Sequence, residues 1–344
     1  MSEEPERVAP VLGVEATSYH LNFYSQGIVP EVHWKIRVDT GQDTPIILSM
    51  NIAHSPIAYG RLAHLGILRF RGLDALNFLQ GQLSNDIRLL TAGQSLLAAY
   101  SSPQGRVLAV LNLLAHASGV IAILPSELIQ PTRERLQKFV LRAKVQIDDL
   151  THEWSVAGQM GNTAGPDAST VTARLAQDPS RAWSIADTVP AENSNSAQTN
   201  AEQFARQWRL QDIRMGIPQI YHATSELFVA QMLNLDLING ISFTKGCFTG
   251  QEIIARTQHL GRIKRRMYRL QFSDESCTQG SCSIGQSIRL PDGRSGRIIE
   301  VIATQSGFEA LAVLNLAAVN ENPPSIETTR IDAEELALPY SLLP

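Results

Sequence analysis

The stretch that decides the fold runs from residue 240 to residue 256 and reads GISFTKGCFTGQEIIAR. This order of residues predicts a short strand, a turn flanked by glycines and the start of a helix. Thr249 is followed three residues later by Glu252, which is the spacing of a capping box. The helix is therefore predicted to begin at Gly250.

Cys247 lies two residues before the predicted N-cap, near the positive end of the helix dipole. Lys245 and Arg256 bring further positive charge to the same segment. If these groups face the thiol, its pKa should be lowered, as in reactive cysteines. The alternative interpretation is that Cys247 is a small buried hydrophobic residue and that Glu252 only caps the helix.

Composition places the chain among globular proteins. It has 344 residues, of which 44% are hydrophobic and 18% are charged, and a net charge of −4. These values exclude collagen-like, coiled-coil and wholly disordered chains, and the length favours two or three compact units. Three cysteines argue against a disulfide framework and favour a reducing compartment, so we expect a cytoplasmic protein. Neither a targeting segment nor a membrane span is expected.

The order of the predicted elements indicates an α+β fold. Residues 1–55 show no dominant period and form a poorly specified lead-in. Residues 56–268 alternate strands with helices, among them a helix over 203–215, and their segment 161–202 has the composition of an exposed loop. Residues 269–344 contain only strand and turn patterns, which predict a C-terminal β-domain.

Several motifs of known chemistry are missing. The chain has no GxGxxG, P-loop, GxSxG or HExxH pattern, and the spacing of Cys277 and Cys282 does not fit a metal site. Six cations without an acid between Arg256 and Arg269 suit a polyglutamate tail, a phosphate or RNA, although a solvated strand face is the simpler interpretation. The cations between Arg133 and Lys144 are interpreted as the solvated face of a helix.

The segment Lys245–Glu252 resembles the K-G-C-Y-x-G-Q-E signature of the YgfZ family of folate-binding proteins, with Phe248 in place of the tyrosine. This family is related to the T protein of the glycine cleavage system. Further matches extend the resemblance over roughly residues 60–344. They are Gly72–Ala75, Phe78–Asp86, Gly105–Leu108, Gly216–Pro218 and Leu338–Ser341.

The resemblance implies two α+β subdomains of the aminomethyltransferase folate-binding fold and a C-terminal β-barrel around a central channel. The channel would hold tetrahydrofolate or a folate derivative. The implied function is support of the assembly or repair of iron–sulfur clusters in partners such as radical-SAM tRNA-modifying enzymes, with a weak tRNA contact as a further expectation. Cys247 is the implied catalytic residue. The implied cofactor-binding residues are Trp208, Lys245, Gly246, Gln251, Glu252 and Arg256.

Two departures from the family bear on function. A second tryptophan that would contact folate is replaced by Leu65. Aminomethyltransferases carry a pair of acids in the stretch where this chain has GRVLAV, residues 105–110, so no carboxylate is available there for acid–base chemistry. An aminomethyltransferase-like enzyme is therefore the alternative to a maintenance factor. Whether the chain is an enzyme stays open at this point.

Overall fold

The chain is described by a computed structural model over residues 33–38, 46–51, 59–161, 170–188, 195–259, 261, 263–273, 282–317 and 328–342. Two compact units divide it at Ile57. In the first unit, strands β1 (His33–Val38) and β2 (Ile46–Asn51) pair antiparallel, with Ile36 opposite Leu48. This hairpin lies in the lead-in, for which the sequence indicates no regular element.

The second unit, residues 58–344, contains the other described elements. They are β3 (Tyr59–Arg61), β4 (Leu65–Arg71), α1 (Ala75–Gln82), β5 (Leu96–Ser101), β6 (Val107–His116), β7 (Gly119–Pro125), α2 (Ile129–Val140), β8 (Gln146–Asp149), β9 (Ser155–Met160), β10 (Val171–Arg174), β11 (Arg181–Ala186), α3 (Asn195–Met215), α4 (Gln251–His259), β12 (Arg265–Phe272), β13 (Ser287–Arg289), β14 (Ser295–Thr304), β15 (Gly307–Asn315), β16 (Thr329–Arg330) and β17 (Ala333–Leu336). Sheets and helices thus mix along the chain, which confirms the α+β class.

A five-stranded antiparallel sheet in the order β5-β6-β7-β4-β8 forms the centre of the second unit. Strands β6 and β7 are almost continuously apolar, and most of their residues are buried, as expected for strands covered on both faces. Helices α1 and α2 contribute Phe78, Leu79 and Leu136 to the same core.

A four-stranded sheet in the order β10-β11-β9-β3 packs against α3. Strands β10 and β11 lie within residues 161–202, so the prediction of an exposed loop is wrong for this part of the segment. Arg181 and Trp183 of β11 are each 1% exposed. The composition misled because the burial of a short strand depends on partners that lie far away in the sequence.

The C-terminal strands form a six-stranded sheet in the order β16-β13-β14-β15-β12-β17. Its two faces bury alternate residues: Leu311 and Val313 join the large core, whereas Leu270, Ala312 and Leu314 belong to a second core. Strand β12 begins at Arg265, so the sheet starts before the predicted boundary at residue 269.

Within the described ranges, no helix is both long and apolar enough to cross a bilayer.

Candidate functional site

The signature loop, residues 239–250, connects to α4 and is held by the segment that follows α1. Ser84 Oγ donates to the carbonyl of Gly240 at 2.7 Å, and Asn85 Nδ2 donates to the carbonyl of Asn239 at 2.7 Å. The backbone N–H of Ser242 donates to the carbonyl of Ser84 at 3.0 Å. Two motifs that lie about 150 residues apart in the sequence therefore form one hydrogen-bonded unit.

Lys245 is the central anchor of this loop. Its ammonium donates to the carbonyls of Gln80, Leu83 and Asn85 at 2.7, 2.6 and 2.7 Å. Burial lowers the pKa of Lys245 to about 8. An ammonium has three protons to donate, and all three are used by the backbone. Lys245 therefore holds the loop and has no proton left for a ligand, in contrast to the binding role that the resemblance implies.

Two glycines bring the turn between β5 and β6 against the signature loop. Gly105 and Gly250 have φ angles of +71° and +81°. A Cβ atom at Gly250 would lie 2.6 Å from the carbonyl oxygen of Ser102, and one at Gly105 would lie 2.8 Å from Cβ of Ile253. Only glycine fits such a backbone conformation and such a close approach. The backbone of the β5–β6 turn at Gly105 thus packs directly against the backbone of the signature loop at Gly250.

The start of α4 differs from the prediction by one residue. The helix begins at Gln251, and the side chain of Gln251 accepts a hydrogen bond from the backbone N–H of Phe248 at 3.3 Å. The hydroxyl of Thr249 donates instead to Gln82 Oε1 at 3.3 Å. The predicted capping role of Thr249 is therefore not seen, and the side-chain hydrogen bond at the start of α4 is made by Gln251.

Cys247 is a free, exposed cysteine. A Cβ atom built at the neighbouring Gly246 would have no other atom within 4 Å, so the loop is open to solvent on this side. Cys282, in contrast, is disulfide-bonded, and Cys277 lies outside the described residues. The expectation of reduced cysteines is wrong at Cys282, because a count of cysteines does not show which of them lie close together.

Glu252 and Arg256 project from the first turns of α4, and both are exposed. Their spacing of four residues places them on one face of the helix. The signature residues Gly246, Cys247 and Glu252 thus lie together at one accessible end of α4.

Trp208 lies in a different part of the second unit. Its ring is 0% exposed and packs against Trp183, with ring centroids 4.8 Å apart, and against Phe204 at 6.1 Å. The guanidinium of Arg181 lies 4.5 Å from its centroid. The ring has no open face on which a pterin could stack, and its described ring contacts include no residue of the signature loop.

A buried ion-pair network fixes Arg181 above that ring. Arg181 pairs with Asp178 at 2.7 Å and with Asp212 at 2.8 Å. Burial raises the pKa of Asp212 to about 6. This network explains how an arginine becomes one of the most buried side chains of the four-stranded sheet.

Part of the basic run between Arg256 and Arg269 is occupied by internal partners. Arg266 pairs with Asp236 at 2.6 Å, and Arg269 pairs with Glu309 at 2.8 Å. Both cations lie on β12, but Arg266 is buried, so the prediction of a solvated strand face is wrong for it. These two cations are held by acids of the fold and are not free to bind a polyanion.

A cavity of about 420 Å³ lies between the β3–β4 turn, α3 and β14, and we call it the α3 cavity. Arg61, Arg206 and Arg209 line it together with one acid, Glu202. Burial and the nearby charge of Arg209 lower the pKa of His64, a further lining residue, to about 4. No local sequence pattern predicts this site, because its cations come from β3 and α3, which lie far apart in the sequence.

Acidic, histidine and cysteine side chains are the residues that most often bind metal ions in proteins. In the part of the chain that the structure describes, no group of three or more such residues could hold a metal ion.

The fold is that of a known class of enzyme. The structure is similar to the crystal structure of glycine cleavage system aminomethyltransferase T from Bartonella henselae, with a TM-score of 0.52 and 15% sequence identity over 76% of this chain and 80% of that chain. At this identity the likeness shows the fold alone. The predicted relation to the aminomethyltransferase fold is thereby confirmed.

Proteins of known name are also similar to this chain in sequence. The chain is 29% identical to the tRNA-modifying protein YgfZ of Colwellia psychrerythraea over 306 residues, which cover 82% of this chain and 93% of that protein. It is 28% identical to the YgfZ protein of Yersinia pseudotuberculosis over 326 residues, which cover 87% and 98% of the two chains. No family model matches the chain. The predicted resemblance to the YgfZ family is confirmed over most of the sequence.

Proposed function

We propose that this chain is a tetrahydrofolate-binding protein that supports the assembly or repair of iron–sulfur clusters in enzymes such as radical-SAM tRNA methylthiotransferases. The observation that carries the proposal is the presentation of Cys247, a free and exposed thiol on a loop that Lys245 anchors from inside. The name of the relatives, tRNA-modifying protein, agrees with the proposed target.

The α3 cavity is the proposed place for tetrahydrofolate. It adjoins both positions at which the resemblance places folate-contacting tryptophans, since lining residues His64 and Arg209 are the sequence neighbours of Leu65 and Trp208. Its volume of about 420 Å³ lies in the range of small-molecule sites. Three arginines and one glutamate line it, and although Arg209 also pairs with Glu300 at 2.5 Å, this excess of cations fits a ligand with a carboxylate tail. The enclosed ring of Trp208 is not part of the cavity lining and supplies no stacking surface.

In this proposal some residues position the loop and one residue carries out the chemistry. Lys245, Gly105 and Gly250 fix the loop, and Cys247 is the group that reacts. Bound tetrahydrofolate would supply a carrier of one-carbon units. An exposed thiol can accept a one-carbon group, hold a sulfur or cluster intermediate, or act as a redox group. The fixed loop serves each of these roles, because it holds the thiol in one place before a partner arrives.

An aminomethyltransferase-like activity is the second candidate, and the shared fold favours it. That activity requires a carboxylate near the β5–β6 turn. Strand β6 instead begins with Val107 and Leu108, both buried and apolar. We therefore favour the maintenance function.

Replacement of Cys247 by serine tests the proposal. In cells that lack their own copy of the protein, wild-type chain should restore methylthiolated nucleosides in tRNA, as measured by mass spectrometry. We expect Cys247→Ser to abolish restoration without a change in thermal unfolding midpoint, because the side chain is exposed. Thr244→Ala, at an exposed position in the same loop, is the matched control. Full restoration by the serine variant would remove Cys247 from the function.

A further inference from the structure

A second cavity, of about 270 Å³, lies between α2 and the β5–β6 turn, and we call it the α2 cavity. Thr249 of the signature loop forms part of its wall. Thr249 lies two residues after Cys247 in the signature loop, and the cavity shares no lining residue with the α3 cavity proposed for tetrahydrofolate.

Two cations of α2 line this cavity. Lys138 is exposed and makes no ion pair with any residue that the structure describes. Arg135 pairs at 3.1 Å with Glu226, and both side chains are 46% exposed. Exposed pairs of this kind contribute little and exchange readily. Because no carboxylate is among the lining residues, the cavity itself favours an anion.

Hydroxyl groups cover its inner wall. Ser101 is 1% exposed, and its Oγ is buried without a hydrogen-bond partner among the described residues. A buried hydroxyl group without a hydrogen-bond partner destabilises the folded protein unless a ligand or a water molecule forms a hydrogen bond with it. Ser102 Oγ accepts from the N–H of Arg106 at 3.3 Å, which leaves its own proton for another acceptor. Burial raises the pKa of Tyr100 to about 12, so its hydroxyl stays a donor.

An aromatic ring lies at the rim. Phe139 lines the cavity and is 45% exposed. Cations and hydroxyl donors around a small space are the usual partners of a phosphate, and an exposed aromatic ring beside them is a surface on which a base can stack.

We propose that the α2 cavity binds the phosphate of a nucleotide, with the base against Phe139. The volume is below that of sites for whole drug-sized ligands, so the phosphate enters and the remainder of the nucleotide lies outside. Two cations on the solvated face of α2, Arg135 and Lys138, thus form part of a site, whereas Arg266 and Arg269 of β12 pair internally.

Calorimetric titrations of the full chain test this proposal with inorganic phosphate, adenosine monophosphate and unfractionated tRNA. We expect adenosine monophosphate to bind more tightly than phosphate. Lys138→Ala and Ser101→Ala should each weaken its binding about tenfold, the loss expected for a hydrogen bond to a charged group. Arg142→Ala, which removes an exposed cation outside the cavity, is the matched control and should bind as wild type.

The tRNA arm distinguishes the source of the phosphate. If RNA is the ligand, Lys138→Ala should weaken tRNA binding and reduce the slope of log Kd against log salt by about 1. If a free nucleotide is the ligand, tRNA affinity should not respond to this variant. Equal affinity for phosphate and adenosine monophosphate, unchanged binding in both cavity variants, or displacement of the nucleotide by tetrahydrofolate would overturn the proposal. The last result would assign the cavity to folate and leave the tetrahydrofolate proposal standing.

Discussion

Lys245 illustrates at the residue scale how the signature motif works. A lysine in a signature is readily interpreted as a ligand for an anion. Here its ammonium is 2.6–2.7 Å from the carbonyls of Gln80, Leu83 and Asn85. Lys245 therefore fixes the conformation of the loop from its buried side, whereas the side chain of Cys247 is exposed to solvent.

Lys245→Met should destabilise the protein by about 3 kcal/mol, because it leaves several buried carbonyls without donors. Urea unfolding measures this change. Lys264→Met, which alters an exposed lysine, is the control and should change stability by less than about 0.5 kcal/mol. A methionine variant of wild-type stability that had lost folate affinity would show that Lys245 binds the ligand directly.

At the scale of elements, the contact between the β5–β6 turn and the signature loop depends on two glycine backbones. Gly250 combines a φ angle of +81° with a Cβ position 2.6 Å from the carbonyl oxygen of Ser102. Gly93 has the same φ angle of +81° but open space around its Cβ position. Alanine substitutions at Gly93 and Gly250 therefore separate the stability cost of the backbone conformation from the stability cost of close packing.

Gly93→Ala should cost about 1 kcal/mol, the penalty of a left-handed conformation. Gly250→Ala should cost about 1–3 kcal/mol more, because the added methyl group must displace the turn. Denaturant unfolding of the two variants measures the difference. Equal losses would mean that the turn and the loop do not pack as closely as described.

Elements with strong patterns could be predicted from the sequence. The long apolar runs over 106–114 and 120–124 predict strands, and β6 and β7 confirm them. The helix predicted over 203–215 is confirmed, although α3 begins earlier, at Asn195. Strand β11 was missed, because burial of Arg181 requires Asp178 and Asp212, and no local pattern pairs an acid with a base across the fold. The signature motif indicated Cys247, because a motif consists of residues that are close in the sequence. It could not indicate the α2 cavity, because that cavity is lined by segments that are distant in the sequence.

At the scale of the whole molecule, the five-stranded and six-stranded sheets share one core, and α3 connects the four-stranded sheet to the C-terminal strands. The α3 cavity lies where α3 meets the four-stranded sheet and the C-terminal strands, and the pKa of its lining residue His64 reflects the burial and charge of the cavity wall. Its pKa is lowered to about 4 by burial and by Arg209. In the folded protein His64 is thus neutral at pH values at which the unfolded chain already binds a proton.

The contribution of His64 to stability is present above pH 6.5, its ordinary pKa, and is lost as the pH falls toward about 4. His64→Gln should therefore reduce the loss of stability between these two pH values. Urea unfolding of both proteins across this range measures the effect. An unchanged pH dependence would mean that His64 is solvated at the cavity wall.

Anaerobic titration of the full chain with tetrahydrofolate, followed by tryptophan fluorescence, tests the central claim most directly. We predict saturable binding with a micromolar Kd, about tenfold weaker in Arg206→Ala, which removes a cation of the α3 cavity. Lys144→Ala, an exposed cation elsewhere, should bind as wild type. Absence of binding at millimolar tetrahydrofolate would contradict the claim and leave Cys247 to be explained by a partner other than folate.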